Sequence, residues 1–241
     1  MRSSPKKPVL ALFDIDGTLL HSGGAGKRAM VAAFRDVFGC ENGFADVQMA
    51  GRTDPEIVRE ALQKQGIAWD PALVEAFRRR YLELIGPELE APSPTKRLMP
   101  GIPAVLDALQ ALGFVTLGLL TGNWRGGAEA KLSHFGINGY FRLGAFADDA
   151  EQRDRLLPFA LQRMRQLTGL AIPPERVVVV GDTIRDIECA RPHGAVTLAV
   201  ATGGNTAAEL AAASPDFLLA DLSDLVAVRG IFRSLAFLGE G

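Results

Sequence analysis

Apolar residues fall along this chain in two rhythms. The unbroken runs Val9-Leu10-Ala11-Leu12, Leu117-Gly118-Leu119-Leu120 and Val177-Val178-Val179-Val180 read as strands buried on both faces of a parallel sheet. Around the later runs the spacing alternates: strands are predicted at 114–120, 142–146, 176–181 and 196–200, and helices at 101–112, 125–135, 153–168 and 184–193. Such alternation argues for a doubly wound parallel sheet, a Rossmann-like α/β core. The alanine-rich 207–213 predicts a helix, 217–219 a last short strand, and 222–238 a closing helix.

Between the first strand, near 9–13, and residue 97 the period is helical throughout, with no strand pattern. Ala29, Ala32, Ala33, Val37 and Phe38 make one apolar face, and Ile57, Val58, Ala61 and Leu62 another. A third helix is predicted over 71–84, with Pro71 in its first turn. Residues 85–100 contain Pro87, Pro92, Pro94 and Pro100, which break helices and predict a return linker. The first strand must rejoin a sheet whose other strands begin after residue 113, and only an inserted domain allows that. The expected division is an α/β core at 1–20 and 98–241 with an α-helical cap domain at 21–97.

Composition narrows the picture. At 241 residues with 48% hydrophobic and 22% charged side chains, a well-buried core is expected. Lys+Arg 26 against Asp+Glu 28 gives no general nucleic-acid or membrane surface, so a small molecule is the expected partner and the protein a monomer or homodimer. Cys40 and Cys189 match no ligand spacing and are expected as buried thiols. The basic start is followed by an apolar run that meets Asp14 too early for a signal peptide or a membrane span, so a cytoplasmic location is expected.

The chemistry gathers at strand ends, where ligand sites of open α/β sheets lie. Phe13-Asp14-Ile15-Asp16-Gly17-Thr18 places two carboxylates at the end of the first strand. Their repulsion calls for a divalent cation, Mg²⁺ being the expected one. Thr121, Gly122 and Asn123 end another run and offer a hydroxyl and backbone N–H groups to phosphate oxygens. A third run ends in Gly181-Asp182-Thr183, followed by Asp186. After Phe146, an acidic turn leads to Arg153 and Arg155, which offer positive charge to the same pocket. Helix caps, turns and solvated faces would explain each segment singly; their occurrence at successive strand ends is what points to one site.

These segments resemble the haloacid dehalogenase-like hydrolase superfamily, in its phosphatase branch with a helical cap after the first strand. The first motif matches Asp14-x-Asp16-Gly17-Thr18, the second Thr121 in Leu119-Leu120-Thr121-Gly122-Asn123, and the fourth Gly181-Asp182-x-x-x-Asp186. The third motif departs from the pattern, since the family usually has a lysine there and none follows Lys131; Arg153 or Arg155 would serve instead. The resemblance implies that Asp14 attacks phosphorus to form an aspartyl-phosphate and that Asp16 acts as acid, then base. It implies metal contacts from the Asp14 carboxylate, the Asp16 backbone carbonyl and the Asp182 carboxylate, with Asp186 behind them. Thr121, the N–H groups of Gly122 and Asn123, and Arg153 would hold the phosphoryl oxygens. Asp16 favours phosphate esters, because branches that cleave carbon–halogen or carbon–phosphorus bonds lack an aspartate there.

The expected function is therefore a Mg²⁺-dependent phosphomonoester hydrolase acting on a small phosphorylated metabolite, phosphoglycolate being the family's familiar example. The alternatives are a phosphomutase using the same intermediate and a receiver-like phosphoacceptor module, which needs neither a leaving-group acid nor a lid. In the insert, Gly51-Arg52-Thr53-Asp54 resembles the loop by which related caps touch the leaving group, and Arg52 is the candidate contact. Gly23-Gly24-Ala25-Gly26-Lys27 is not a nucleotide loop, because His21 and Arg28 stand where Gly and Ser or Thr are required. It reads as a hinge, with Lys27 and Arg28 either facing the anion or solvated. Trp69 is expected in cap packing, and Trp124 as a wall of the pocket.

Overall fold

The computed structural model of the protein describes residues 6–237; residues 1–5 of the basic start and Leu238, the expected end of the closing helix, lie outside them. The strands among the described residues are β1 (Val9–Phe13), β2 (Leu20–His21), β3 (Arg97–Leu98), β4 (Val115–Leu120), β5 (Leu143–Ala145), β6 (Val177–Gly181), β7 (Val196–Val200) and β8 (Phe217–Leu219). Six of them form one sheet in the order β5-β4-β1-β6-β7-β8, and every neighbouring pair is parallel. The helices are α1 (Ala25–Phe38), α2 (Asp54–Lys64), α3 (Pro71–Glu90), α4 (Ala104–Gln110), α5 (Arg125–His134), α6 (Leu157–Thr168), α7 (Ile184–Ala190), α8 (Ala207–Ala212) and α9 (Leu225–Ala236). None of them is long and apolar enough to cross a membrane.

Both faces of the sheet are covered, which explains the unbroken apolar runs. In β1, Val9, Ala11 and Phe13 enter one core with α4, α5 and α9, whereas Leu10 and Leu12 enter another with α6 and α7. β6 divides in the same way, Val178 and Val180 against Val177 and Val179. A side-chain period of two on a strand buried twice leaves no polar position until the strand ends. Each fully buried Val, Leu or Phe contributes roughly 1.5–3 kcal/mol of transfer free energy, so the central strands cannot shift register without exposing their ends.

The segment between β1 and β4 is helical and has its own apolar cluster: Ala29, Phe34, Val58, Phe77, Tyr81 and Leu89 from α1, α2 and α3. Where the chain leaves β1 and returns, Leu20 pairs with Leu98 and His21 with Arg97 in an antiparallel ribbon, a pairing too short for sequence periodicity to reveal. The return linker expected at 85–100 begins later, because α3 runs on to Glu90 with Pro87 inside it. Phe77, Tyr81, Ile85 and Leu89 recur every four residues and are all buried, while Pro87 lies on the exposed face. Burial of that stripe outweighs the one lost helix bond.

Two smaller expectations also change. Cys189 is a buried thiol, but Cys40 is half-buried and its Sγ donates to Gln65 Oε1 at the surface. Trp124 joins the aromatic cluster under the helical insert, with ring centroids 6.1 Å from Phe77 and 5.8 Å from Tyr81, instead of walling the pocket. Trp69 packs at the margin of that cluster under the Arg59 guanidinium.

Candidate active site

β1 lies between β4 and β6, so the carboxyl ends of all three open on one crevice. Asp14, Thr121 and Asp182 are the first residues past those ends. A cavity of about 430 Å³ lies between them and the helical insert, lined from the sheet side by Asp14, Asp16, Gly122, Asn123, Arg153 and Asp182. The chain can turn under it because Gly17 has φ 88°, and a Cβ there would collide with the Asp182 carboxylate.

Three carboxylates, those of Asp14, Asp182 and Asp186, are buried with oxygens within 4.8 Å of one another. Arg153 is buried beside them, its Nη2 3.1 Å from Asp14 Oδ1 and 2.5 Å from Asp186 Oδ1. The arginine is fixed from behind, since Cys189 Sγ donates to its backbone carbonyl at 3.1 Å. Its Nε has no acceptor among the described residues. Arg155 is exposed on the far side and lines a different hollow with Glu151 and Phe159. Of the two candidate arginines, therefore, only Arg153 meets the acidic cluster.

Burial pushes the Asp14 carboxyl up to about 6, with Arg153 opposing and the Asp186 and Asp16 charges adding to the rise. Burial likewise pushes Asp182 up to about 7, helped by Asp14 and Asp186. One arginine does not neutralise this cluster, and a divalent cation fits its donor set. Asp186 is the member already satisfied: Oδ1 takes Arg153, and Oδ2 takes the backbone N–H and hydroxyl of Thr183 at 3.0 and 2.7 Å. Asp182 accepts from the Thr18 hydroxyl at 2.8 Å and the Gly204 N–H at 2.6 Å, which fix its orientation. The Asp16 backbone carbonyl accepts no hydrogen bond among the described residues.

The Asp16 carboxylate points into the cavity, with 42% of its side-chain surface exposed. It is held there by Lys131 Nζ at 2.5 Å and Asn123 Nδ2 at 2.9 Å. Lys131 also donates to Asn123 Oδ1 at 2.6 Å, and Asn123 Nδ2 donates to Thr121 Oγ1 at 2.9 Å. Enclosure raises the Asp16 pKa, but the Lys131 charge outweighs it and the net shift is downward. Lys131 was not among the residues singled out by sequence. Its signal was a lysine on the buried stripe of α5, with Gly127, Ala128 and Leu132.

From the helical insert, Gly51, Arg52 and Asp54 line the cavity. The Arg52 guanidinium is engaged within the insert, pairing with Glu60 of α2 and donating to the Glu56 carbonyl of that helix and to the Gln48 carbonyl of the preceding loop. Asp54, which the sequence included in the same cap segment without giving it a role, accepts from the Trp124 N–H at 2.7 Å and is pushed up to about 7 by burial, against the pull of Lys131. Lys27 lines the cavity, while Arg28 turns away to Glu88 at 2.6 Å. Gly24 is the N-cap of α1, so that Ala25, Gly26 and Lys27 of the glycine segment form the helix's first turn.

The family model described as haloacid dehalogenase-like hydrolase matches residues 9–194. The chain is 32% identical over 222 residues to a phosphoglycolate phosphatase of Synechococcus elongatus, covering 89% of this chain and 94% of that protein. It is 30% identical over 218 residues to a phosphoglycolate phosphatase of Aquifex aeolicus, covering 89% and 93%. Among solved structures, a hydrolase from Pseudomonas syringae superposes with a TM-score of 0.70 at 18% identity, over 92% of this chain and 98% of that one. The match spans β1 through α7, and hence the carboxyl ends of β1, β4 and β6: the chain belongs to the haloacid dehalogenase-like hydrolase family.

Proposed function

We propose that the protein is a Mg²⁺-dependent phosphomonoester hydrolase that works on a small phosphorylated metabolite through an aspartyl-phosphate on Asp14, with residues 21–97 acting as a cap over the core of 1–20 and 98–241. The observation that carries this reading is the convergence of Asp14, Asp16, Arg153 and Asp182 on one cavity at the ends of β1 and β6. The phosphatase relatives and the match to the hydrolase family support it.

The Asp14 carboxylate, the Asp16 backbone carbonyl and the Asp182 carboxylate would hold the cation. When bound, it supplies positive charge that offsets repulsion between Asp14 and the substrate phosphate. Asp14 then attacks phosphorus while Arg153, the Thr121 hydroxyl and the backbone N–H groups of Gly122 and Asn123 receive charge on the phosphoryl oxygens. Asp186 keeps the Arg153 guanidinium in place. Asp16 lies anionic beside Lys131 in the free protein; an incoming phosphate dianion disfavours that charge, so the carboxyl takes up a proton and can deliver it to the leaving alkoxide. Once the alcohol has left, Asp16 removes a proton from the water that attacks the aspartyl-phosphate. Release of Asp14 completes the cycle.

The test is the Asp14→Asn variant, assayed with Mg²⁺ for phosphate release from a panel of phosphorylated metabolites, beside a sugar-phosphate isomer-exchange assay. Loss of turnover by at least about 10³-fold with an unchanged melting temperature is expected. Retained turnover would remove Asp14 as nucleophile, and isomer exchange without phosphate release by the wild-type protein would make it a mutase.

A further inference from the structure

The helical insert leaves and rejoins the core through one two-stranded ribbon, in which Leu20 pairs with Leu98 and His21 with Arg97. A body tied at one edge swings unless something holds it elsewhere. The acidic turn after β5 supplies such holds. Asp149 anchors the turn to the core through Arg163 of α6, at 2.5 Å. Asp148 takes Arg78 of α3 at 2.6 Å with one carboxylate oxygen, and the Arg125 N–H of the core at 2.5 Å with the other. Glu151 takes Arg59 of α2 through both oxygens, at 2.5 and 2.9 Å, and Arg59 has no other acceptor among the described residues. Two residues on, Arg153 Nη1 donates to the Gly51 carbonyl of the insert at 3.1 Å, while Nη2 stays with Asp14 and Asp186. Gly51 permits that approach: its φ is 69°, and a Cβ there would stand 2.6 Å from the Thr183 hydroxyl.

We propose that residues 148–153 form a latch between the insert and the nucleophile, with Asp148 and Glu151 as positioning residues that act on Asp14 through the insert and Arg153. Its part in turnover rests on the hydrolase reading of Asp14. The side chain at 153 is what carries the latch into the site. A lysine gathers its donors on one nitrogen, whereas the guanidinium spreads them over separate nitrogens in a fixed plane. It can therefore serve two carboxylates of the core and a carbonyl of another body at once. Lifting the insert removes the Gly51 carbonyl, one of the three acceptors that fix the guanidinium beside Asp14. The outer clasp is weaker. Arg59 and Glu151 are 47% and 40% exposed, which limits their pair to about fivefold in the seating equilibrium and leaves it open to screening by salt. A hold of that size keeps the insert seated over the cavity yet lets it open in each turnover for product to leave.

Two amides span the interface and report its opening: the Asp54 N–H on the Gly122 carbonyl and the Trp124 N–H on the Asp54 carboxylate. They exchange hydrogen when the insert lifts, at a rate that follows the opening equilibrium. Exchange is measured by NMR for the wild type, Glu151→Arg, Arg59→Glu and the double reversal. Each single reversal is expected to speed both amides about fivefold, with amides inside α1 and α3 unchanged. The double reversal restores the pair with its signs exchanged and should return both to within about twofold of wild type. Arg153→Lys should speed them too, although it keeps a positive charge at Asp14. In the wild type, about 0.5 M KCl should speed them as the single reversals do. For an ester that the wild type hydrolyses with Mg²⁺, kcat/KM should fall in each single reversal and recover in the double. Unchanged exchange in both reversals, or no recovery in the double, would overturn the latch and leave the hydrolase standing. If a reversal does not fold, exchange in the wild type that ignores salt would overturn it equally. Exchange that responds as expected in a protein releasing no phosphate from any ester would uphold the latch and end the hydrolase reading.

Discussion

Arg153 and Arg155 are two positions apart and live in different dielectrics. Arg153 shares a buried pocket with two carboxylates, 3.1 Å from Asp14 and 2.5 Å from Asp186, while Arg155 is exposed. Removing one partner of a buried ionic cluster leaves the others charged and desolvated. Arg153→Ala should therefore cost about 3–5 kcal/mol in urea unfolding and, with the phosphoryl contact gone, nearly all turnover. Arg155→Ala should stay within about 0.5 kcal/mol of wild type and keep its activity. Equal mild losses in both variants would take Arg153 out of the site. Sequence placed both arginines near the pocket but could not choose, because it does not show the short 3₁₀ turn Arg153–Arg155, in which about 120° of rotation per residue sends side chains two positions apart in different directions. Lys131 was harder still. Its function comes from a contact with Asp16, 115 residues earlier, and only its place on an apolar helix stripe hinted at it.

At the scale of elements, the loop after β4 and the start of α2 hold each other. The Asp54 N–H donates to the Gly122 carbonyl at 2.7 Å, the Trp124 N–H donates back to Asp54 at 2.7 Å, and the Thr53 hydroxyl reaches the Glu151 carbonyl at 2.5 Å. The two backbones approach so closely that a Cβ on Gly122 would collide with the Arg52 carbonyl. Gly122→Ala must then push the helical insert away from the strand end. We expect a loss of about 1–3 kcal/mol from overpacking and a fall in kcat/KM of about tenfold or more, since small displacements of positioning groups weaken catalysis steeply. Thermal melts beside steady-state kinetics check it, and wild-type values for both would show that the contact is dispensable. Thr53 is also the N-cap of α2, in a capping box with Glu56. A sequence shows the cap pattern but not that the capping residue reaches across to another strand's loop. Likewise the spacing of Phe77, Tyr81, Ile85 and Leu89 was present in the sequence, but Pro87 masked it; local propensity argued one way and burial decided the other.

For the whole molecule, the legible part was what repeats: apolar runs doubly buried in a parallel sheet, alternation with helices, and acids where the runs stop. The illegible part was what closes the cavity, because α3 meets α5 and α2 meets the β4 loop through contacts with no sequence period. This closure also sets how the protein should respond to pH. Asp14 and Asp182 have ordinary carboxyl pKa values when unfolded, but in the fold they are raised to about 6 and about 7 by burial and mutual repulsion. Between those values and the unfolded range the native state binds more protons than the unfolded chain. Without a divalent cation, stability contributed by these groups is thus fully present below about pH 4 and is lost as pH rises through 6 to 7. A cation held by the same carboxylates competes with those protons and stabilises only the native state. Addition of Mg²⁺ should accordingly raise the melting temperature little at pH 5 and by several degrees at pH 8, and Asp182→Asn should flatten the difference. Equal stabilisation at both pH values, or an undiminished effect in Asp182→Asn, would mean that the ion binds elsewhere and that the acidic strand ends are not its site.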